Sequence, residues 1–179
     1  MRIPHLPIPA LRRTGRRPPL PEEYAEELGV GDERVLAWSE LYGGGVVAAT
    51  VEGLRVRTPQ GRHVHRPWTD VDHAAWDETS ATLAVWWVGS RVPTPLEVGD
   101  SSFVPEVVHE RVRSSIVLTR EVPLGGGRSA WVTLRRRADG EFLTQVLPPR
   151  GVRLTDPAVA ARVRQVEEEL LDESGRTEA

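Results

Sequence analysis

The segment HVHRPWTDVDH, residues 63–73, holds three of the chain's five histidines and two of its aspartates. Imidazoles and carboxylates are the residue types that ligate zinc and similar metals. Side chains on a strand alternate with a period of two, so His63 and His65 share one face and can chelate together. His73 would complete a three-histidine set if the following strand brought it alongside. Pro67 and Trp68 intervene, however, and the alternation cannot be carried across them. Nothing in the segment forces an acidic residue onto the same face. Hydrogen-bonded strand histidines are the simpler account, so no metal and no cofactor is expected, and a metal-dependent enzyme built on these histidines is a distant alternative.

The arginines around these histidines are the stronger binding candidates. GLRVR (53–57) and RHVHR (62–66) flank TPQG, whose Pro59 and Gly61 suit a turn, so the two runs predict a hairpin. With a four-residue loop, Arg57 lies opposite Arg62 and Val56 opposite His63. Arg55, Arg57, Arg62 and Arg66 then form a basic face together with Val64, available to an anion or an acidic partner, while Leu54, Val56, His63 and His65 form the other. A three-residue loop or a bulge would break this sorting. An arginine-rich hairpin also serves as a solvated edge that discourages strand pairing, and LRRRADG at 134–140 is a second basic strand end of the same kind.

Catalytic signatures are missing. The chain has no GxSxG elbow, Walker loop, GxGxxG or HExxH, and Asp70, Asp72, Asp77 and Glu78 sit beside turns, where carboxylates are ordinarily solvated turn formers. The chain is therefore not expected to be an enzyme.

The 179 residues suffice for one domain with a real core and are too few for two ordinary ones. The absence of cysteine excludes disulfides, thiolate metal sites and a cysteine nucleophile. A net charge of −3 provides no global basic field, so nucleic acid is not an expected partner. All basic residues are arginine, a composition typical of a high-GC genome. Apolar runs such as LAVWWV (83–88) have strand length and fall far short of a spanning helix. The N-terminus, broken by prolines and with its arginines after the apolar patch, does not read as a signal peptide, so a cytoplasmic location is expected.

These candidates need elements to position them. Residues 1–20 are a Pro/Arg-rich arm expected to be disordered, in which RRPPLP (16–21) can form a polyproline II segment that docks an aromatic groove. PEEYAEELG (21–29) reads as a short helix with Leu20, Tyr24 and Leu28 on one face. RVLAWSEL, GVVAATVE, GLRVR, RHVHRPW, VDHAAWDE and TLAVWWV read as strands, followed by a helix near 104–114 with Val104, Val107, Val108 and Val112 on one face. IVLTREV, SAWVTLRRR and FLTQVL are further strands. A final amphipathic helix starts at Thr155 or Asp156 and carries Val159, Val163, Val166 and Leu170 as its stripe. The ordered domain is placed at 21–172, and 173–179 are expected to be a disordered tail. Of six tryptophans, the adjacent Trp86 and Trp87 must point to opposite faces, one of them into the core.

RVLAWSELYGGGVVAATVEGLRV followed by RPWTDVDHAAWD resembles the bacterial pleckstrin-homology-like and GRAM-type pattern, with Thr50, Leu54, Trp68, Val71 and Trp76 in the matching places. The VPEVVHERVRSSIVLTREVPL centre is similar to actinobacterial conserved proteins of unassigned function. The resemblance implies an α+β fold: a strongly bent antiparallel meander or partly open barrel closed by the C-terminal helix. PH-like domains that bind phosphoinositides use basic residues on an early hairpin. The expected function is thus a non-catalytic binding or adaptor module, its partner a protein reached through Arg55, Arg57, Arg62 and Arg66 or through a sheet edge. Weak association with an anionic membrane surface through the arm and hairpin is the alternative.

Overall fold

The structure, a computed structural model, describes residues 18–99, 102–149, 152 and 155–177. The expectations for residues 1–17 and 178–179 lie outside it. The described residues fall into two compact units that divide between Arg113 and Ser114.

The first unit opens with helix α1 (Glu22–Leu28), which carries Glu22 and Glu23 in its first turn and ends at Gly29 with φ 60°. Acidic side chains favour the positive end of the helix, and glycine accepts the left-handed stop. Four strands follow, β1 (Val35–Glu40), β2 (Val46–Thr50), β3 (Gly53–Arg57) and β4 (His63–Pro67), paired antiparallel in chain order. A second sheet pairs β5 (Val71–Asp77), β6 (Thr82–Trp87) and β7 (Thr94–Glu97), again in chain order. Helix α2 (Val104–Ser115) completes the unit, with the Ser102 hydroxyl accepting from the Val104 amide at 3.2 Å.

The inner faces of both sheets and α2 share one core: Val47, Ala49, Leu54 and Val56 meet Leu83, Val85 and Leu96, and Val104, Val107, Val108 and Val112 close it. On its other face the first sheet carries a smaller cluster in which Leu20, Tyr24, Leu28 and Val30 cover Val46 and Ala48. The central strand β2 is buried throughout because both of its faces are covered.

The second unit is a three-stranded antiparallel sheet, β8 (Ile116–Gly125), β9 (Arg128–Arg136) and β10 (Phe142–Leu147), in the order β10-β9-β8, with helix α3 (Pro157–Thr177) across one face. Asp156 caps α3, its side chain accepting from the Ala158 amide at 3.0 Å. Val163 and Leu170 are buried against Val122, Ala130, Val132 and Leu134, with Val159 and Val166 beside them. Arg120 bridges to Glu169 (3.1 Å) and Glu173 (2.8 Å), and the Thr144 hydroxyl donates to Glu167 (2.7 Å), so polar contacts frame the apolar stripe.

An α+β chain of antiparallel sheets with helices near 104–114 and at the C-terminus is what the sequence predicts. The single strongly bent meander or partly open barrel, also expected, does not appear: the described strands form three separate sheets and no closed barrel. Pro67 ends β4 without an amide hydrogen to donate, and a 3-10 turn at Trp68–Asp70 redirects the chain before β5. Strand β7 is absent from the sequence reading because it is four residues long and contains Pro95, which an edge strand tolerates. No described helix is long and apolar enough to cross a membrane.

Gly53, at the start of β3, lies so close to β4 that an added Cβ would sit 2.1 Å from the Arg66 carbonyl oxygen. Backbone cannot swing aside as a side chain does. Gly53→Ala is expected to destabilise the protein by at least about 1–3 kcal/mol, measurable by urea denaturation.

Candidate functional site

The β3–β4 hairpin closes through Pro59, Gln60 and Gly61 rather than through four residues. The Thr58 amide donates to the Arg62 carbonyl at 2.9 Å, the Gly61 amide donates to the Thr58 carbonyl at 2.8 Å, and Gly61 has φ 76°. This is the three-residue loop in which a turn is followed by a left-handed residue. Its effect is to shift the register by one: Arg57 faces His63, Val56 faces Val64, Arg55 faces His65 and Leu54 faces Arg66.

The predicted sorting of the hairpin is therefore corrected. Arg55 and Arg57 share their face with His63 and His65, not with Arg62, Arg66 and Val64. The histidines do not join Leu54 and Val56 in the core; both are exposed. Arg66 lies on the opposite side, 3.2 Å from Asp70 and with its guanidinium 5.9 Å from the centre of the Trp87 ring. Arg62 is exposed beside the loop.

Carboxylates outside the predicted patch pair with three of its four arginines, Asp70 with Arg66 and two glutamates with the others. Arg55 pairs with Glu33, which follows α1, and also donates to the Leu28 carbonyl at 3.3 Å; Arg57 pairs with Glu27 of α1. The Arg55 and Glu33 side chains are only 14% and 10% exposed. Burial pushes the Glu33 carboxyl up, but the Arg55 guanidinium, the Thr50 hydroxyl and the neighbouring His65 imidazole outweigh it and hold the group below the usual glutamate range. These partners follow from the docking of α1, which the strand pattern alone does not contain.

The turn between β2 and β3 brings a further residue to this corner. The Thr50 hydroxyl accepts from the amides of Glu52 (3.2 Å) and Gly53 (3.1 Å), and the Glu52 carbonyl accepts from the Trp68 amide at 3.3 Å. The Trp68 indole in turn donates to the carbonyls of Thr50 (3.1 Å) and Val51 (3.2 Å). Glu52 is thereby fixed near Glu33 and His65, and one ligand atom from each of the three lies within 4.8 Å of the others. The three-histidine set does not form this grouping. His73 stands on β5, in the other sheet, stacked on Trp86 (ring centres 4.4 Å apart, 12° between planes) with Asp72 at 2.9 Å. Trp87, on the opposite face from Trp86, packs against the core and donates to the Thr94 hydroxyl at 2.8 Å.

The polyproline reading also acquires a location. The Trp38 indole donates to the carbonyls of Pro18 (3.1 Å) and Pro19 (3.0 Å), and Tyr24 stands 5.6 Å from the Trp38 ring. The described end of the Pro-rich segment thus lies on an aromatic pair of its own chain.

Replacing Arg55 by methionine leaves Glu33 buried without its cation and is expected to cost about 1.5–3 kcal/mol at neutral pH. The folded Glu33 carboxyl lies below its unfolded value. Its contribution is therefore full above the ordinary glutamate range and is lost as pH falls through the lowered folded value. Urea denaturation of both proteins across that acid range should show the difference shrinking. Comparison with protein-family models, curated proteins and solved structures finds no match to this chain.

Proposed function

We propose that the protein is a non-catalytic binding module whose partner is an extended, acidic polypeptide segment added to the open edge of β4. The observation that carries this reading is the state of that edge. Strand β4 is terminal in its sheet and four of its five residues are exposed. In an antiparallel ladder, pairs that exchange hydrogen bonds alternate with pairs that do not. Arg62 with Thr58 and Trp68 with Glu52 are bonded pairs, so His63 and His65 fall in the alternate positions and direct their backbone groups away from β3. An added strand can bond there, and Pro67, without an amide hydrogen, limits the length of the pairing.

Arg62 supplies the positive charge nearest this edge, with Arg66, itself paired with Asp70, beside it. Arg55 and Arg57 are held by carboxylates and contribute less than the sequence suggests. Association with anionic lipid through the arm and hairpin is disfavoured by the same neutralisation. A cytoplasmic location and the PH-like relationship belong to this proposal; antiparallel pairing in chain order and a C-terminal helix across a sheet support the latter, and separate sheets weigh against it.

His63→Pro removes an outward amide without touching a β3 hydrogen bond. A partner recovered by cross-linking in the native organism should bind the wild type, slow hydrogen exchange at His63 and His65, and lose at least about tenfold in affinity with His63→Pro or with Arg62→Glu/Arg66→Glu. Unchanged affinity in both variants would rule the edge out. Salt-sensitive sedimentation with anionic vesicles that depends on residues 1–20 would establish the lipid alternative instead.

A further inference from the structure

We propose that Glu33, Glu52 and His65 form a binding site for a divalent cation of the manganese, iron(II) or zinc class. The three side chains come from separate places in the chain: the segment after α1, the β2–β3 turn and the edge strand β4. One ligand atom of each lies within 4.8 Å of the others. Donors bound to one cation at about 2.0–2.2 Å stand at most about 4.4 Å apart. Glu52 and His65 are exposed and can close the remaining few tenths of an ångström by small rotations, as estimated from that same limit.

A second observation points to a ligand. The Glu33 side chain is only 10% exposed, and its two oxygens are treated differently. Oε1 is taken by Arg55, whereas Oε2 is buried and has no hydrogen-bond partner among the described residues. Buried carboxylate oxygens ordinarily have a donor or a cation. Arg55 is where the hydrogen-bond partner of a ligating carboxylate belongs: it locks the orientation of Glu33 and is itself held by the Leu28 carbonyl. Glu52 is fixed at the backbone by Thr50 and Trp68.

The local charges select the ligand. Two glutamates against one arginine leave a net negative corner to which His65 adds an imidazole ligand. Two carboxylates and one imidazole, without thiolate, match borderline-hard divalent ions, with water completing the coordination. The bound ion would tie the segment after α1 to the β3–β4 hairpin. This site stands independently of strand addition at β4, because it uses the side chains of the sheet face and not the outward backbone.

The test is calorimetric titration of untagged, chelator-treated full-length protein with manganese or zinc alone. The expected result is saturable one-to-one binding with a Tm that rises with ion concentration. Glu52→Gln and His65→Gln, both at exposed positions, should each weaken binding by at least about tenfold while circular dichroism stays unchanged. His109→Gln, on the exposed side of α2, should bind as the wild type does. Proton NMR should show the ion perturbing the His65 ring and sparing that of His73. Absence of saturable binding up to millimolar ion, or equal binding by Glu52→Gln and His65→Gln, overturns the site.

Discussion

Register in the β3–β4 hairpin governs what each face of the four-stranded sheet can do. Because Pro59, Gln60 and Gly61 make a three-residue loop, Val56 meets Val64 and the two valines look into the core beside Leu54. The same register sets Arg55 and Arg57 beside His65 and His63 on the face that α1 approaches. A shift of one residue would exchange the two sets, sending His63 toward the core and Val64 toward the arginines. The close passage of Gly53 against the Arg66 carbonyl secures the far end of the hairpin, where a side chain would force the strands apart.

Electrostatics follow from this geometry. Two arginines that look like a free basic patch on paper are each matched by a carboxylate from α1 or the segment after it. Pairs at partly buried positions lose less to solvent screening than surface pairs do, so they help to seat α1 on the sheet. The Arg55–Glu33 pair leaves one carboxylate oxygen without a donor, and this residual demand makes the corner with Glu52 and His65 chemically distinctive. The outer side of β4 differs in kind: its open features are backbone groups, which recognise another strand and not an ion.

Much of the fold was legible. Alternating apolar residues located nine of the ten described strands, and valine spacing at 104–112 and 159–166 marked the buried faces of α2 and α3. Four arginines and three histidines were visible as candidates. Their faces were not, because loop length sets parity and TPQG fits a loop of three or four residues equally well in outline. Gly61, with its left-handed conformation, was the signal that favours three. Glu33 and Glu52 carry no motif; one lies 32 residues and the other 13 residues before His65 in the chain.

The sequence by itself determined the local elements, the absence of thiol chemistry and the amphipathic faces of the helices, since these depend on residue type and short-range spacing. Only the tertiary structure decided the division into three sheets, the neutralisation of Arg55 and Arg57, and the meeting of Glu33, Glu52 and His65. The last two depend on how the chain turns at Gly61 and on where α1 docks, and the break between the first two sheets falls at the Pro67 turn. Such long-range juxtapositions are set by packing, and no local pattern encodes them.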